Sequence, residues 1–243
     1  MKRFILIVVL IFPVLTLAYW VHLGLNSPHK MRADIAKQTV QNRLDQYGPQ
    51  ARARLKPYFD AAQVPYPPLW LALVGLKDEK ILEVYAAGGT NQNVRFIRSY
   101  PILAASGGPG PKLREGDQQV PEGVYSIESL NPNSSYHLSL RINYPNAFDR
   151  EQAAREGRVN LGGDIMIHGG ATSVGCLAMG DEAAEDLFVL AAETSLTNIT
   201  VILSPVDFRK SRSVPQSGAL PAWTATLYQA IRSNLNELPA KNQ

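Results

Sequence analysis

The hydrophobic rhythm of the chain changes along its length. After Lys2 and Arg3, an uncharged apolar run extends from Phe4 to about Leu25. Such a run is long enough to cross the roughly 30 Å hydrocarbon core of a bilayer as a helix, and its basic start favours a cytoplasmic N-terminus. Pro13 would kink it and Thr16-Leu17-Ala18 offers a small-residue cleavage site, so residues 1–26 read as a signal anchor or a cleaved signal peptide. From Ser27 to Gln63, apolar residues recur near helical spacing at Met31, Ile35, Val40, Leu44, Tyr47, Ala51, Leu55 and Phe59. Gly48-Pro49 interrupts this pattern, which predicts two helices.

After the rigid break "VPYPP" (64–68) the pattern turns to strands: 69–76, 80–87 and 94–106, joined by short turns that predict antiparallel hairpins. Glycine-proline loops and shorter strands follow at 123–129 and 136–142, and the segment 158–170 reads as a strand ending at His168. Asp181 to Thr194 is an amphipathic helix with Ala184, Leu187, Phe188 and Ala191 on one face. A late strand at 198–205 and a closing helix from Pro221 to Leu238 complete a strand-rich core with helices at both ends. The fold class expected is α+β, β-dominated.

Composition narrows the function classes. The chain has 45% hydrophobic and 19% charged residues, ordinary for a globular protein. Its formal charge is +3, and only +1 without Lys2 and Arg3, which gives no support for a nucleic-acid partner. Cys176 is the single cysteine and cannot form an internal disulfide. With four histidines in the whole chain, a Cys/His metal cluster is not expected either. In an exported protein a lone thiol is a liability unless it is buried or reactive.

That cysteine lies in "MIHGGATSVGCLAMGDEAAED" (166–186), eight positions after His168 across small residues. An imidazole beside a thiol can take its proton and generate the nucleophilic thiolate. The backbone N–H groups of Val174, Gly175 and Cys176 could converge on one spot and receive an oxyanion, with Gly175 leaving the concavity open. The same spacing also suits a small buried cysteine beside a structural histidine. Spacing alone leaves both readings open.

"IHGGATSVGC" resembles the active-site motif of the L,D-transpeptidase catalytic domain (YkuD) family, a His-Gly pair followed by Ser/Thr-His-Gly-Cys. "GPKLREGDQQVPEGVYSI" and "LNPNSSYHLSLRINYPNAFDR" resemble its YafK-like branch, and the likeness runs from about Leu69 to Arg209. The resemblance implies a mixed β-sandwich core, with a helical linker region at 27–66, a catalytic domain at 67–210 and a helical extension at 211–243. It makes Cys176 the nucleophile and His168 the proton donor and acceptor, with the Gly169 carbonyl orienting the ring. The family's histidine before Gly-Cys is Val174 here, and the basic or amide residue two past the cysteine is Ala178.

The implied reaction is attack on the amide after an L-centre of a peptidoglycan stem peptide, forming a thioester that an amine or water resolves, without metal or cofactor. Implied partners are stem peptides and a wall-linked lipoprotein, in the periplasm or cell envelope, with the N-terminal segment meeting the inner membrane. Arg141, Arg150 and Arg209 are candidates for a substrate carboxylate, with a solvated surface role the commoner reading of each, and His137 is a candidate for lining the site, with a satisfied core or wall residue the commoner reading. The loop 107–123 is a candidate lid. The rival expectation, from a different class, is an inactive wall-binding or scaffold module on the same fold.

Overall fold

The computed structural model describes residues 37–89, 93–210, 213–214 and 220–241. The expected membrane segment lies outside them. Among the described residues, no helix is long and apolar enough to cross a membrane.

In strand β1 (Trp70–Leu76), Leu71 and Leu73 turn to one core, while Ala72, Val74 and Leu76 turn to a second one on the opposite face. Burial on both faces explains why this segment is a continuous apolar run rather than an alternating one. β1 pairs antiparallel with β2 (Ile81–Ala87), and β2 antiparallel with β3 (Arg95–Pro101), as the short turns predict. The expected strand at 94–106 is split. Ile102 N still donates to Lys80 O, but Leu103 N donates to Ala178 O, so the chain leaves β2 there and continues as β4 (Ala104–Ala105) in another part of the sheet.

The long strand β5 (Gly123–Ser134) joins two halves of one nine-stranded sheet. Its start, Gly123–Ser126, pairs with β9 (Ile199–Ser204), which runs parallel to β1. Its remainder pairs with β6 (His137–Ile142), with register shifts between Ile127 and Ser129 and between Asn131 and Ser134. Such irregularities bend a strand and raise its twist. The order then continues through β7 (Met166–His168) and β8 (Leu177–Ala178) to β4.

Leu138, Leu140, Ile142, Ile167 and Leu177 from this second half share one core with Leu71, Leu73, Val201 and Leu203 from the first. A Cβ on Gly75 would lie 3.2 Å from Leu177 Cδ2, so the halves pack closely across the core. The architecture is a mixed α+β, sheet-dominated fold with flanking helices.

Helix α1 (Val40–Ala62) begins at Thr39, whose side chain accepts from Asn42 N while Asn42 returns a bond to Thr39 N. It passes through Gly48-Pro49 without a break, which corrects the expectation of two helices. The residue before a proline avoids the α region because its Cβ clashes with the proline ring, and glycine has no Cβ. Helix α2 (Ala147–Arg155) has no apolar stripe to reveal it. Its only local signal is the Asn146–Asp149 capping box, in which each side chain accepts from the other's backbone N–H.

Helix α3 (Asp181–Glu193) docks on α1 through Arg54, whose guanidinium lies 3.0 Å from Glu185 and 2.7 Å from Asp186. Helix α4 (Thr224–Asn236) covers the opposite face of the sheet with Leu227, Ile231 and Leu235. The strand expected over 158–170 is real only for Met166–His168. Gly162 and Asp164 adopt φ of 74° and 54°, left-handed values that an extended strand excludes.

Candidate active site

β7 and β8 run side by side in parallel, with Ile167 opposite Leu177 and His168 opposite Ala178. Ile167 and Leu177 are wholly buried in the shared core. The two-residue period of a strand therefore sends Met166, His168 and the residue before Leu177, which is Cys176, to the other face. Two strands with one shared buried pair place the thiol and the imidazole on one surface.

His168 Nδ1 lies 2.6 Å from the Gly169 carbonyl oxygen. A carbonyl oxygen only accepts, so Nδ1 carries the proton and Nε2 keeps a free lone pair. Burial holds the His168 pKa below the ordinary histidine value, against the opposing pull of the Gly169 hydrogen bond. The turn that makes this possible needs glycine. A Cβ at position 169 would lie 2.6 Å from Asp181 Oδ1 and 2.8 Å from Tyr136 O. Asp181 Oδ1 also accepts from Gly170 N at 2.8 Å, which ties the turn after His168 to the start of α3.

Cys176 Sγ accepts from Met166 N at 3.4 Å and donates to Asp164 O at 3.6 Å. Among the described residues no hydrogen bond joins the sulfur to the His168 ring. Burial pushes the thiol pKa up, the Met166 amide lowers it, Asp164 raises it, and Lys112 lowers it, with a net upward shift. A raised thiol beside a depressed imidazole makes the resting pair neutral.

Gly175 takes φ of 88°, a conformation open to glycine, and Gly175 and Cys176 carry two of the amides expected to receive an oxyanion. Both are already satisfied. Gly175 N donates to Ser106 Oγ at 2.5 Å and Cys176 N donates to Ser173 Oγ at 3.2 Å. Ser173 Oγ in turn donates to Cys176 O at 2.6 Å, and Ser106 Oγ to Gln118 O at 2.7 Å. An incoming oxyanion would replace neutral hydroxyl acceptors with a charged one, an exchange that strengthens each bond. Neither serine was singled out in the sequence: Ser106 stands sixty-nine positions from its partner Gly175, whereas Ser173 lies three before Cys176 and was within reach of a local reading. Val174 stands on the loop with 72% of its surface exposed.

Arg141 follows Ser139 by two positions on β6, and these residues pair with Met166 and His168 respectively. Arg141 therefore sits one strand away from the thiol, on the same face. Its Nη1 lies 2.6 Å from Asp164 Oδ1, and its Nε lies 2.8 Å from Glu128 Oε2 without hydrogen-bond alignment. Arg141, Arg150 and Arg158 line a groove of ≈ 560 Å³ that reaches Asp164, the residue whose carbonyl touches Cys176 Sγ. Arg150 donates to the Pro145 carbonyl and is exposed in that groove.

His137 and Arg209 do not join this group. His137 Nε2 lies 3.0 Å from Glu185 Oε1 and its ring packs edge-on to Tyr47, so the imidazole is directed at α1 and α3 instead of lining the groove. The left-handed φ of 70° at His137 takes it out of the alternation that β6 otherwise follows. Arg209 is drawn into a buried cluster with Glu83, Asp207 and Tyr85. The loop 107–123 is strongly anchored for a lid. Buried Lys77 donates to Gly110 O, Val120 O and Glu122, while Asp117 accepts from Lys112 and from the amides of Leu113, Arg114 and Gln119.

Residues 71–202 match the L,D-transpeptidase catalytic domain family (YkuD). YafK of Escherichia coli strain K12, whose assignment as an L,D-transpeptidase is provisional, is 39% identical over 114 residues. The alignment takes in 46% of this chain and 43% of that protein, and the protein of the same name from strain O157:H7 matches equally. The chain thus spans less than half the length of these curated relatives.

Among solved structures, the helical cell shape determining protein Pgp2 of Campylobacter jejuni is similar at 21% identity and a TM-score of 0.46, over 69% of this chain and 58% of that one. Bd1075 of Bdellovibrio bacteriovorus is similar at 20% identity and a TM-score of 0.40, over 69% and 54%. The family match runs from Leu71 in β1 to Ile202 in β9 and encloses His168, Cys176 and the strands that carry them; this chain belongs to the L,D-transpeptidase catalytic domain (YkuD) family.

Proposed function

We propose that this protein is an exported, cysteine-dependent enzyme that modifies peptidoglycan, with Cys176 as nucleophile and His168 as general base and acid. The observation that carries the reading is the fixed tautomer of His168: Nδ1 is committed to Gly169 O, and Nε2 is left free on the face shared with Cys176. In the proposed reaction Nε2 takes the Cys176 proton as sulfur attacks the carbonyl carbon of the amide after an L-centre in a stem peptide. The negative oxygen settles on the Gly175 and Cys176 amides, displacing the Ser106 and Ser173 hydroxyls. The tetrahedral adduct collapses, His168 returns its proton to the leaving nitrogen, and a thioester remains on Cys176. Water or an amine then attacks that thioester with His168 again accepting the proton, and the thiol is regenerated.

Water is the favoured acceptor. A transferase must keep water from the thioester until a bulky amine arrives, and here the loop that would close is held by Lys77 and Asp117. Val174, where the family pattern has a histidine, offers no proton donor on the acceptor side. The branch resemblance also points to cleavage of an existing attachment between a polypeptide and the wall. Arg141 and Arg150 would receive carboxylates of the stem peptide in the groove beside Asp164. The N-terminal apolar segment would place the enzyme at the outer face of the inner membrane or release it into the periplasm.

The test offers the full chain a disaccharide tetrapeptide, a lipoprotein-linked muropeptide and a free amine acceptor, with products read by mass spectrometry. Release of the linked peptide supports hydrolysis. Dimer formation without release would make it a transpeptidase with the same Cys176–His168 pair. No turnover of any substrate, with intact binding to sacculi, would favour the inactive wall-binding module.

A further inference from the structure

Among the described residues one hydrogen bond holds the His168 ring, and it runs to the neighbouring residue's carbonyl. A single short-range bond fixes one ring nitrogen and leaves the plane of this buried imidazole, and with it the direction of Nε2, to be set by packing. The second restraint is an aromatic face. The rings of Tyr136 and His168 lie 4.6 Å apart between centroids with an interplanar angle of 33°. A tilted ring pair at this range is favourable beyond the area it buries. Tyr136 is nearly half exposed, at 48%, so it is not there to fill the core.

The turn that carries Tyr136 is itself fixed in part from outside the family-matched segment. Tyr136 N donates to Ser134 Oγ at 3.1 Å, and His137, next in sequence, is held by Glu185 and packs against Tyr47 of α1. Glu185 is held in turn by Arg54 of α1. Arg43 Nε donates to Pro132 O at 2.8 Å, and Asn133 exchanges two hydrogen bonds with the Gln38 backbone. The hairpin tip from Pro132 to His137 therefore rests on α1 and α3. On its other side, the Tyr136 ring lies 3.7 Å from where a Cβ on Gly170 would stand. The backbone that presents this ring to His168 is therefore held on both sides.

We propose that Tyr136 is a positioning residue for His168, and that α1 supports this role by clamping the β5–β6 turn. Its stacked face and the Gly169 carbonyl together define the plane of the imidazole and keep Nε2 on the Cys176 side. This rests on the reading of His168 as the base. It predicts a loss in the chemical step, with substrate binding nearly unchanged, when the aromatic face is removed.

The experiment compares wild type, Tyr136→Phe and Tyr136→Leu, labelled with ¹⁵N-histidine, with the His168 signal assigned by its disappearance in His168→Gln. Wild type and Tyr136→Phe should show the single Nδ1–H tautomer, and Tyr136→Leu a mixture of the two. In turnover, Tyr136→Leu should lower kcat about tenfold with KM within about twofold, and Tyr136→Phe should restore wild-type kcat. Tyr47→Ala, which loosens the clamp and leaves the site's own residues in place, should shift tautomer and kcat in the same direction by less. A Tyr136→Leu protein with an unchanged tautomer, or with its whole defect in KM, would overturn the proposal and make the ring a platform for substrate. If the wild type turns over no wall peptide, the proposed function fails, and the nitrogen signature still decides whether Tyr136 orients the ring.

Discussion

Cys176 Sγ lies 3.4 Å from the amide nitrogen of Met166, and the His168 ring stands two residues further along the same strand. The sulfur thus meets a backbone donor and the Asp164 carbonyl, while the imidazole is bonded to its own neighbour. Thiol and imidazole share one face of the sheet, and among the described residues no hydrogen bond joins them. The pH behaviour follows from this arrangement.

Alkylation of resting Cys176 by iodoacetamide should be slow at neutral pH and should rise only above the usual thiol value of about 8.5, because burial raises the thiol pKa. Turnover should behave differently. A protonated imidazole cannot accept a proton, and burial moves the His168 pKa below the usual value of about 6.5. The acid limb of the rate should therefore lie below that value and be complete by neutrality. An alkylation curve with a midpoint under 7 would mean a preformed ion pair and contradict the neutral resting state.

Cys176→Ala should reduce turnover at least a thousandfold, and His168→Ala nearly as much, since groups acting as one unit lose function together. The alanine at 176 removes one sulfur from a half-buried position, so the unfolding free energy should change by no more than about 1 kcal/mol. Wild-type turnover in Cys176→Ala would require a different nucleophile.

Two arginines should answer differently to the same replacement. Arg141→Ala acts in the groove beside the thiol and should raise KM for stem peptides that carry a free carboxylate, with a smaller effect on amidated ones. Arg209→Ala leaves wholly buried Glu83 without its guanidinium partner and should cost about 3 kcal/mol of stability. The cost stays at the low end because Lys241 and the Tyr85 hydroxyl still reach Glu83. Urea unfolding and steady-state kinetics on both variants would expose the contrast, and a KM defect in Arg209→Ala equal to that of Arg141→Ala would remove the distinction.

Glu122 is the partner of buried Lys77 and also accepts from Gly110 N and the Tyr228 hydroxyl. Glu122→Ala should cost about 3–5 kcal/mol, since it strands an ammonium group away from water. It should also release the loop 107–123, which limited proteolysis at Gly107–Gly110 would detect. Unchanged protease resistance in a destabilised variant would show that the loop is anchored by Asp117 instead.

Asp149 is pushed up to about 6 by burial, against the hydrogen bonds from Asn146 and Tyr125. The folded state therefore binds this proton more tightly than the unfolded chain, whose aspartate titrates near about 3.9. Its contribution is full below that lower value and is lost as pH rises towards about 6. Denaturant midpoints measured from pH 4 to 7 should carry this falling component in wild type and lose it in Asp149→Asn. Parallel curves for the two proteins would place the titration elsewhere.

What the amino-acid order determined by itself is local. Alternation, apolar runs and turn residues locate β1, β2, β9, α3 and α4 to within a few residues, because burial imposes its period on adjacent positions. The histidine and cysteine could be named from the segment around them. What meets across a buried face is not written in any short segment. Only the packed structure decides that α1 runs through Gly48-Pro49, that the strand ending at His168 has three residues, and that His137 is directed away from the groove. The same holds for Ser106 on the Gly175 amide and for Tyr136 over His168, pairs separated by tens of residues. Arg141 and Arg209 are alike as letters, and one borders the thiol's groove while the other is locked to Glu83. Such differences arise from long-range contacts, whose strength depends on which groups the fold desolvates together.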